Sequence, residues 1–170
     1  MPQFLDSRAA KIAIVFVAAL ALSACAKNAA DQAGEGADRY GAGRGAATPG
    51  SAQDFAANVG DRVFFDSDST ELSATAQATL DKQAEWLNRY PRYSFAVEGH
   101  ADERGTREYN FALGARRAEA TKNYLVSRGV AASRMRTTSF GKERPVATCD
   151  DISCWSQNRR AVTVLSGGRS

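Results

Sequence analysis

The chain is predicted to fold as an α/β (α+β) sandwich of order βαβαββ, with helices packed on one face of a mixed four-stranded sheet. Three observations predict this: four short β-rich segments, two long segments with apolar residues at helical spacing, and their alternation along the chain. The first strand is Arg62-Val63-Phe64-Phe65, closed by the turn cluster Asp66-Ser67-Asp68-Ser69. Over residues 73–90, Ala76, Leu80, Ala84 and Leu87 recur at helical spacing, with Ser73 placed to cap the start and Pro91 just past the end. Residues 94–100 give the second strand, followed by a polar loop over 101–106. A second helix is expected over 107–128, capped by Thr106, closed by Gly129, and carrying Leu113, Ala120, Tyr124 and Leu125 as apolar members. Residues 135–140 and 161–165 supply the third and fourth strands, with a short helical turn expected over 156–160.

One folded domain fits the size and composition. A length of 170 residues with 44% hydrophobic content supports a single core. The 22 basic and 19 acidic residues are mixed along the chain and leave a net charge of only +3, with no basic block interleaved with aromatics, so nucleic acid is a poor partner. The domain is expected over 58–166, with a frayed tail at 167–170. Residues 25–57 read as a flexible tether, rich in Ala and Gly and punctuated by Gly34-Glu35-Gly36, Gly41-Ala42-Gly43 and Pro49-Gly50. A Gly-rich coil of that size spans roughly 30 Å, enough to let an anchored domain reach a nearby layer.

Arg8 and Lys11 precede an apolar run over 12–22, shorter than the roughly 20 residues that span a bilayer but of the right size for an export signal. The following Leu22-Ser23-Ala24-Cys25 resembles the lipobox of bacterial lipoproteins, which implies a signal over 1–24 and acylation of Cys25. The same resemblance implies several acyl groups, as stable anchoring requires. It also favours the periplasmic face of the outer membrane, because Ala26 stands where inner-membrane lipoproteins commonly carry Asp. Three cysteines in an exported protein leave one over, and lipidation of Cys25 accounts for it. Cys149 and Cys154 are then expected to pair in an oxidising compartment, pinning a local loop. The competing metal site is weak: the only histidine, His100, is distant in sequence, and two cysteines alone are a poor zinc signature. No metal and no cofactor are expected.

The chemistry concentrates in four stretches: Phe65-Asp66; residues 98–106, which read EGHADERGT; Tyr109-Asn110 with residues 113–118, which read LGARRA; and Asn158-Arg159-Arg160-Ala161. In this order they resemble the C-terminal domain of outer-membrane protein A, and within that superfamily the peptidoglycan-associated lipoproteins. The resemblance covers about residues 62–165. Independently of it, Asn110, Leu113, Gly114 and Arg117 fall on one helical stripe, which turns Arg117 inward. A buried guanidinium needs acceptors, and Asp66 and Asp102, each just after a strand, are the carboxylates at hand. Gly114 costs about 1 kcal/mol of helix propensity relative to Ala, so its presence implies that something approaches the backbone closely.

The resemblance implies that the ligand is the peptidoglycan stem peptide, recognised through meso-diaminopimelate, with Asp102 meeting its ammonium and Arg117 its carboxylate. Phe65 and Asp66 would close one wall, and Arg104, Thr106, Tyr109, Asn110 and Leu113 would shape the rest. It further implies the Tol system as the setting, with TolB competing for the groove and TolA as a second candidate partner. Asn158-Arg159-Arg160 is assigned to the approach to the last strand and left out of the site. Two other readings stand beside the binding module: a murein hydrolase using Asp102 or Glu103 with His100, and a wall anchor of another envelope machine. Arg117 with Asp102 can also be read as a structural salt bridge alone. On the binding reading, Asp102→Asn or Arg117→Leu abolishes retention on the wall and leaves the fold intact.

Overall fold

The computed structural model describes residues 47–166. The expected export signal, Cys25, most of the expected tether and the expected frayed tail at 167–170 lie outside the described residues. In chain order the elements are β1 (Arg62–Phe64), α1 (Ala74–Arg89), β2 (Ser94–His100), α2 (Arg107–Ser127), a 3-10 turn (Ala132–Arg134), β3 (Met135–Gly141), α3 (Ile152–Asn158) and β4 (Arg160–Ser166). The sheet order is β1-β4-β2-β3. Strands β2 and β3 run parallel, and β4 runs antiparallel to both β1 and β2. The fold class is the expected one: a mixed four-stranded sheet with helices.

Local chemistry sets the helix limits as anticipated. The Ser73 hydroxyl accepts from the Ala76 amide at 3.2 Å, and Thr106 Oγ1 accepts from the Tyr109 amide at 3.2 Å. Gly129, at φ +86°, ends α2 in the left-handed region that favours glycine. The buried stripe of α1 is Ala76, Leu80, Gln83, Ala84, Trp86 and Leu87. On α2 it is Asn110, Leu113, Gly114, Arg117, Ala118, Thr121 and Leu125, so Ala118 takes the core place assigned to Ala120, which is half-buried. These stripes join Val63, Phe65, Phe95, Val97 and Ala161 in one apolar cluster. Burying a Leu or Phe side chain there contributes about 1.5–3 kcal/mol.

Two glycines let α2 lie directly on the sheet. A Cβ on Gly114 would stand 2.5 Å from Ser139 Oγ and 2.8 Å from the Gly99 carbonyl oxygen, and a Cβ on Gly99 would run into the Gly114 carbonyl. What approaches Gly114 is therefore strand β2. Ser139 Oγ on β3 donates to the Phe111 carbonyl at 2.6 Å and fixes the same contact from the neighbouring strand.

Three sequence expectations are corrected. The folded unit begins before Asn58: Ser51 caps a helical turn (Ala52–Asp54) that continues as a π-helical segment (Phe55–Gly60). Phe55 is buried against Trp86, with ring centroids 4.9 Å apart, and Asp54 Oδ2 accepts from Trp86 Nε1 at 2.9 Å. A single aromatic among Ala, Asn and Gly produces no period, so the segment read as tether. Strand β1 stops at Phe64 because the chain leaves the ladder at Phe65, whose amide still donates to the Arg159 carbonyl at 2.9 Å. The turn expected over 156–160 is instead helix α3, begun earlier by Asp151, whose carboxylate accepts from the Ser153 amide at 2.7 Å. The Cys149–Cys154 disulfide is present as expected, with Cα atoms 5.6 Å apart, and it ties the loop before α3 to the helix itself. Among the described residues, no helix is long and apolar enough to cross a membrane.

Candidate functional site

Sheet topology brings the motif residues to one end of the molecule. Because β4 is antiparallel to both β1 and β2, the C-terminal ends of β1 and β2 and the N-terminal end of β4 share one edge; Phe64 pairs with Arg160, and Gly99 with Ala161. The loop after β1 (Asp66 to Ser69), the loop after β2 (Ala101 to Thr106) and Arg159 therefore converge beside the first half of α2. Between them lies a cleft of about 200 Å³, lined by Ser67, Asp68, Asp102, Arg104, Gly105, Tyr109, Asn110, Leu113 and Arg117.

Arg117 lies at its base and is fully buried. Its Nε donates to the Ser69 carbonyl at 2.8 Å, Nη1 to the His100 carbonyl at 2.8 Å, and Nη2 to the Asp66 carbonyl at 3.0 Å. Its guanidinium also sits 5.2 Å from the Phe65 ring centroid. The expected carboxylate partners are thus replaced by backbone carbonyls of both loops, and Arg117 makes no ion pair with Asp66 or Asp102. Arg117 therefore shapes the cleft by bonding the backbone of both loops. A guanidinium carries more N–H donors than these three. Burial first, and the neighbouring Arg159 cation second, push its pKa down to about 10. It stays charged at neutral pH with no carboxylate bonded to it, Asp102 and Asp68 acting on it from a distance.

Asp102 is 7% exposed and is held by two cations. Arg104 Nη2 reaches Oδ2 at 2.6 Å, and Arg159 Nη1 reaches Oδ2 at 3.3 Å. Burial is the largest influence on this carboxyl and opposes ionisation, but the hydrogen bonds and charge of Arg104, with the Arg159 bond, outweigh it and hold the pKa below its usual value. Asp68, at φ +55° in the turn after β1, points a second carboxylate at the Tyr109 hydroxyl, which donates to it and whose pKa is raised in consequence. Asn110 is buried, and its Nδ2 donates to the Arg104 carbonyl at 2.7 Å, fastening the β2–α2 loop to the helix.

Of the residues singled out in the sequence, Asp102, Arg104, Tyr109, Asn110, Leu113 and Arg117 line the cleft. Phe65 and Asp66 do not: Phe65 is buried under Arg117, and both line an adjoining groove with Arg159. Thr106 caps α2 and does not reach the cleft lining. Sequence reasoning left out Ser67 and Asp68, read as turn chemistry alone, and Gly105, quoted in the motif over 98–106 but given no place in the site. It also missed Arg159, which is 6% exposed, bonds the Phe65 carbonyl through Nε at 3.0 Å, and helps hold Asp102. Only the juxtaposition of β4 with β2 could reveal that role. His100 is 2% exposed, stacks on Phe140 with centroids 5.5 Å apart, and has no hydrogen-bond partner at either ring nitrogen, the Glu98 carboxylate standing 3.9 Å from Nε2. It lies outside the cleft lining.

The OmpA family model matches residues 64–159, more than half of the chain and bounded by the two strand ends that frame the cleft. The chain belongs to the OmpA family. Within it, the chain is 66% identical over 161 residues to a peptidoglycan-associated lipoprotein of Rhizobium meliloti (strain 1021), covering 94% of this chain and 89% of that one. Identity to the protein of that name from Pseudomonas aeruginosa is 40% over 157 residues, covering 88% and 93%. These similarities place it in the peptidoglycan-associated lipoprotein branch. A crystal structure of the peptidoglycan-associated lipoprotein from Burkholderia pseudomallei matches with a TM-score of 0.64 at 40% identity, over 67% of this chain and 98% of that one. The C-terminal domain of Helicobacter pylori MotB has the same fold, with a TM-score of 0.59 at 22% identity, over 62% of this chain and 84% of that one.

Proposed function

We propose that this OmpA-family chain is an outer-membrane lipoprotein that binds the diaminopimelate-containing stem peptide of peptidoglycan non-covalently and so links the outer membrane to the cell wall. The observation that carries the reading is the composition of one small cleft: a buried, under-compensated guanidinium at Arg117, with the carboxylates of Asp102 and Asp68 in the same lining. Diaminopimelate ends in an ammonium and a carboxylate on one carbon, and a cleft with both signs of charge recognises that pair better than either alone. Arg117 offers its remaining N–H donors to the carboxylate, and Asp102 accepts from the ammonium. Relatives named peptidoglycan-associated lipoproteins support the assignment.

The fuller reading adds a signal over 1–24, acylation at Cys25 and a tether ending near residue 47, where the packed domain begins. It also adds membership of the Tol–Pal system, with TolB and TolA as partners, and a role in envelope integrity and division. Binding without turnover is favoured because His100, the one imidazole of the chain, is buried outside the cleft lining and is not placed to move a proton at a scissile bond there.

The test is co-sedimentation of the protein with purified sacculi. Asp102→Asn, which keeps shape and removes charge, is expected to lower the sedimented fraction strongly while far-ultraviolet circular dichroism is unchanged. Retention equal to the unsubstituted protein would reject Asp102 as a binding residue. Release of soluble murein fragments on prolonged incubation would replace the binding reading with the hydrolase.

A further inference from the structure

Asp102 is saturated before any ligand arrives. A carboxylate offers roughly four lone-pair sites. Here the Arg104 amide and Nε both donate to Oδ1 at 3.2 Å, Arg104 Nη2 donates to Oδ2 at 2.6 Å, and Arg159 Nη1 donates to Oδ2 at 3.3 Å. An ammonium can bond this carboxylate only if a donor leaves. Arg159 cannot readily leave, being buried and tied to the Phe65 carbonyl. The Arg104 side chain is 43% exposed and is the one donor free to swing away.

Arg104 is nonetheless held where it competes best. Its guanidinium carbon lies 4.3 Å from the centroid of the Trp155 ring, a stacking distance for a cation on an aromatic face. Its Nη2 also donates to Ser67 Oγ at 2.8 Å. Trp155 is in turn fixed from two sides: its Nε1 donates to Glu103 Oε1 at 2.5 Å, and the residue before it, Cys154, is bonded to Cys149. Nothing in the sequence pairs Trp155 with the β2–α2 loop, yet it meets both charged residues that follow Asp102.

We propose that Arg104 is a built-in competitor for Asp102, pinned there by Trp155, and that the ligand's primary ammonium binds by displacing it. The proposal rests on the reading that Asp102 accepts that ammonium. Trp155 is then a positioning residue: it touches no ligand and acts through the guanidinium it stacks on. The empty cleft avoids a bare, poorly solvated carboxylate, and the ligand binds less tightly than the cleft alone would allow, which suits an anchor that must let go of the wall.

The experiment is calorimetric titration of the full chain with a diaminopimelate-containing tripeptide, and with the same tripeptide acetylated on the diaminopimelate side-chain amine. Arg104→Gln is expected to raise affinity for the free amine by about three- to tenfold, the range for a partly exposed bidentate pair, with no gain for the acetylated peptide. Trp155→Leu keeps every charge; it should give a smaller gain in the Arg104 protein and none in the Arg104→Gln background. Trp155→Phe, which keeps a stacking ring, should largely restore the original affinity. A fall or no change with Arg104→Gln, while Asp102→Asn weakens binding, would overturn the competitor and leave the binding site standing. Unchanged binding in Asp102→Asn would overturn both.

Discussion

Arg117 Nη1 donates to the carbonyl oxygen of His100 at 2.8 Å, so the middle of α2 is bonded to the last residue of β2, two residues before Asp102. Through its other two bonds, to Ser69 and Asp66, the same side chain gathers the loop after β1. One buried cation thereby positions both acidic loops of the cleft.

Loss of Arg117 therefore costs stability as well as binding. Arg117→Leu strips three carbonyls of their donor, that of His100 in a buried bond and those of Asp66 and Ser69 in partly buried ones, and an unmet buried group costs about 1–3 kcal/mol. A loss of about 1–3 kcal/mol is expected in urea unfolding, with Arg117→Lys intermediate because an ammonium cannot span all three acceptors. Unaltered stability in Arg117→Leu would mean that the loops hold themselves.

His100 gives the fold an acid sensitivity separate from its carboxylates. Burial, then the charges of Arg160 and Arg144, lower its pKa from 6.5 to about 4. The imidazole is neutral in the folded chain, while in the unfolded chain it gains a proton as pH falls through 6.5. Its contribution is thus complete above that value and is lost between pH 6.5 and 4, at up to about 1.4 kcal/mol per pH unit. His100→Leu should flatten stability against pH in that window and leave the steeper loss below it, where Asp102 and Asp54, both held low, become protonated. A profile of unchanged slope would contradict the buried neutral imidazole.

The contact between α2 and β2 is set by two glycines of unequal tolerance. Gly99→Ala drives a methyl into the Gly114 backbone and is expected to cost about 3 kcal/mol, at the upper end for overpacking. Gly114→Ala meets the Ser139 hydroxyl at 2.5 Å and the Gly99 carbonyl oxygen at 2.8 Å, a milder overlap than that of a Gly99 methyl on the Gly114 carbonyl, and regains about 1 kcal/mol of helix propensity, so it should cost less. Thermal unfolding of the two variants tests the order, and the reverse order would place the helix differently.

Opening the Cys149–Cys154 bridge should act locally. The loop is short, with a sequence separation of 5, so the chain-entropy estimate is about 2 kcal/mol. Hydrogen exchange after mild reduction is expected to rise in α3 and around Trp155, with β2 and α2 unaffected. Uniform acceleration across the sheet would show that the bridge supports the whole fold.

Much of this fold could be read in the sequence, because its strands are short β-rich runs and its two long helices carry explicit caps at Ser73 and Thr106. Arg117 could be placed inward from helical spacing alone. Its partners could not: carbonyl acceptors leave no trace in side-chain identity, and the two nearby aspartates looked the more natural counterions. Arg159 and Trp155 were illegible for another reason. Both act across the sheet end, at sequence separations that only the pairing of β4 with β2 closes. Phe55 escaped because one buried aromatic has no period. The motif order was the strongest signal, and it located the cleft while misplacing Phe65, Asp66 and Thr106 on its lining.

On the proposed function a carboxylate on the ligand meets Arg117, and lysine is the natural probe, since it keeps the diaminopimelate ammonium and lacks only that carboxylate. Titrating the full chain with stem tripeptides carrying one or the other should show roughly tenfold or greater preference for diaminopimelate, the value of a lost charge-assisted bond. Equal affinity for the two peptides would reject Arg117 as the partner of that carboxylate.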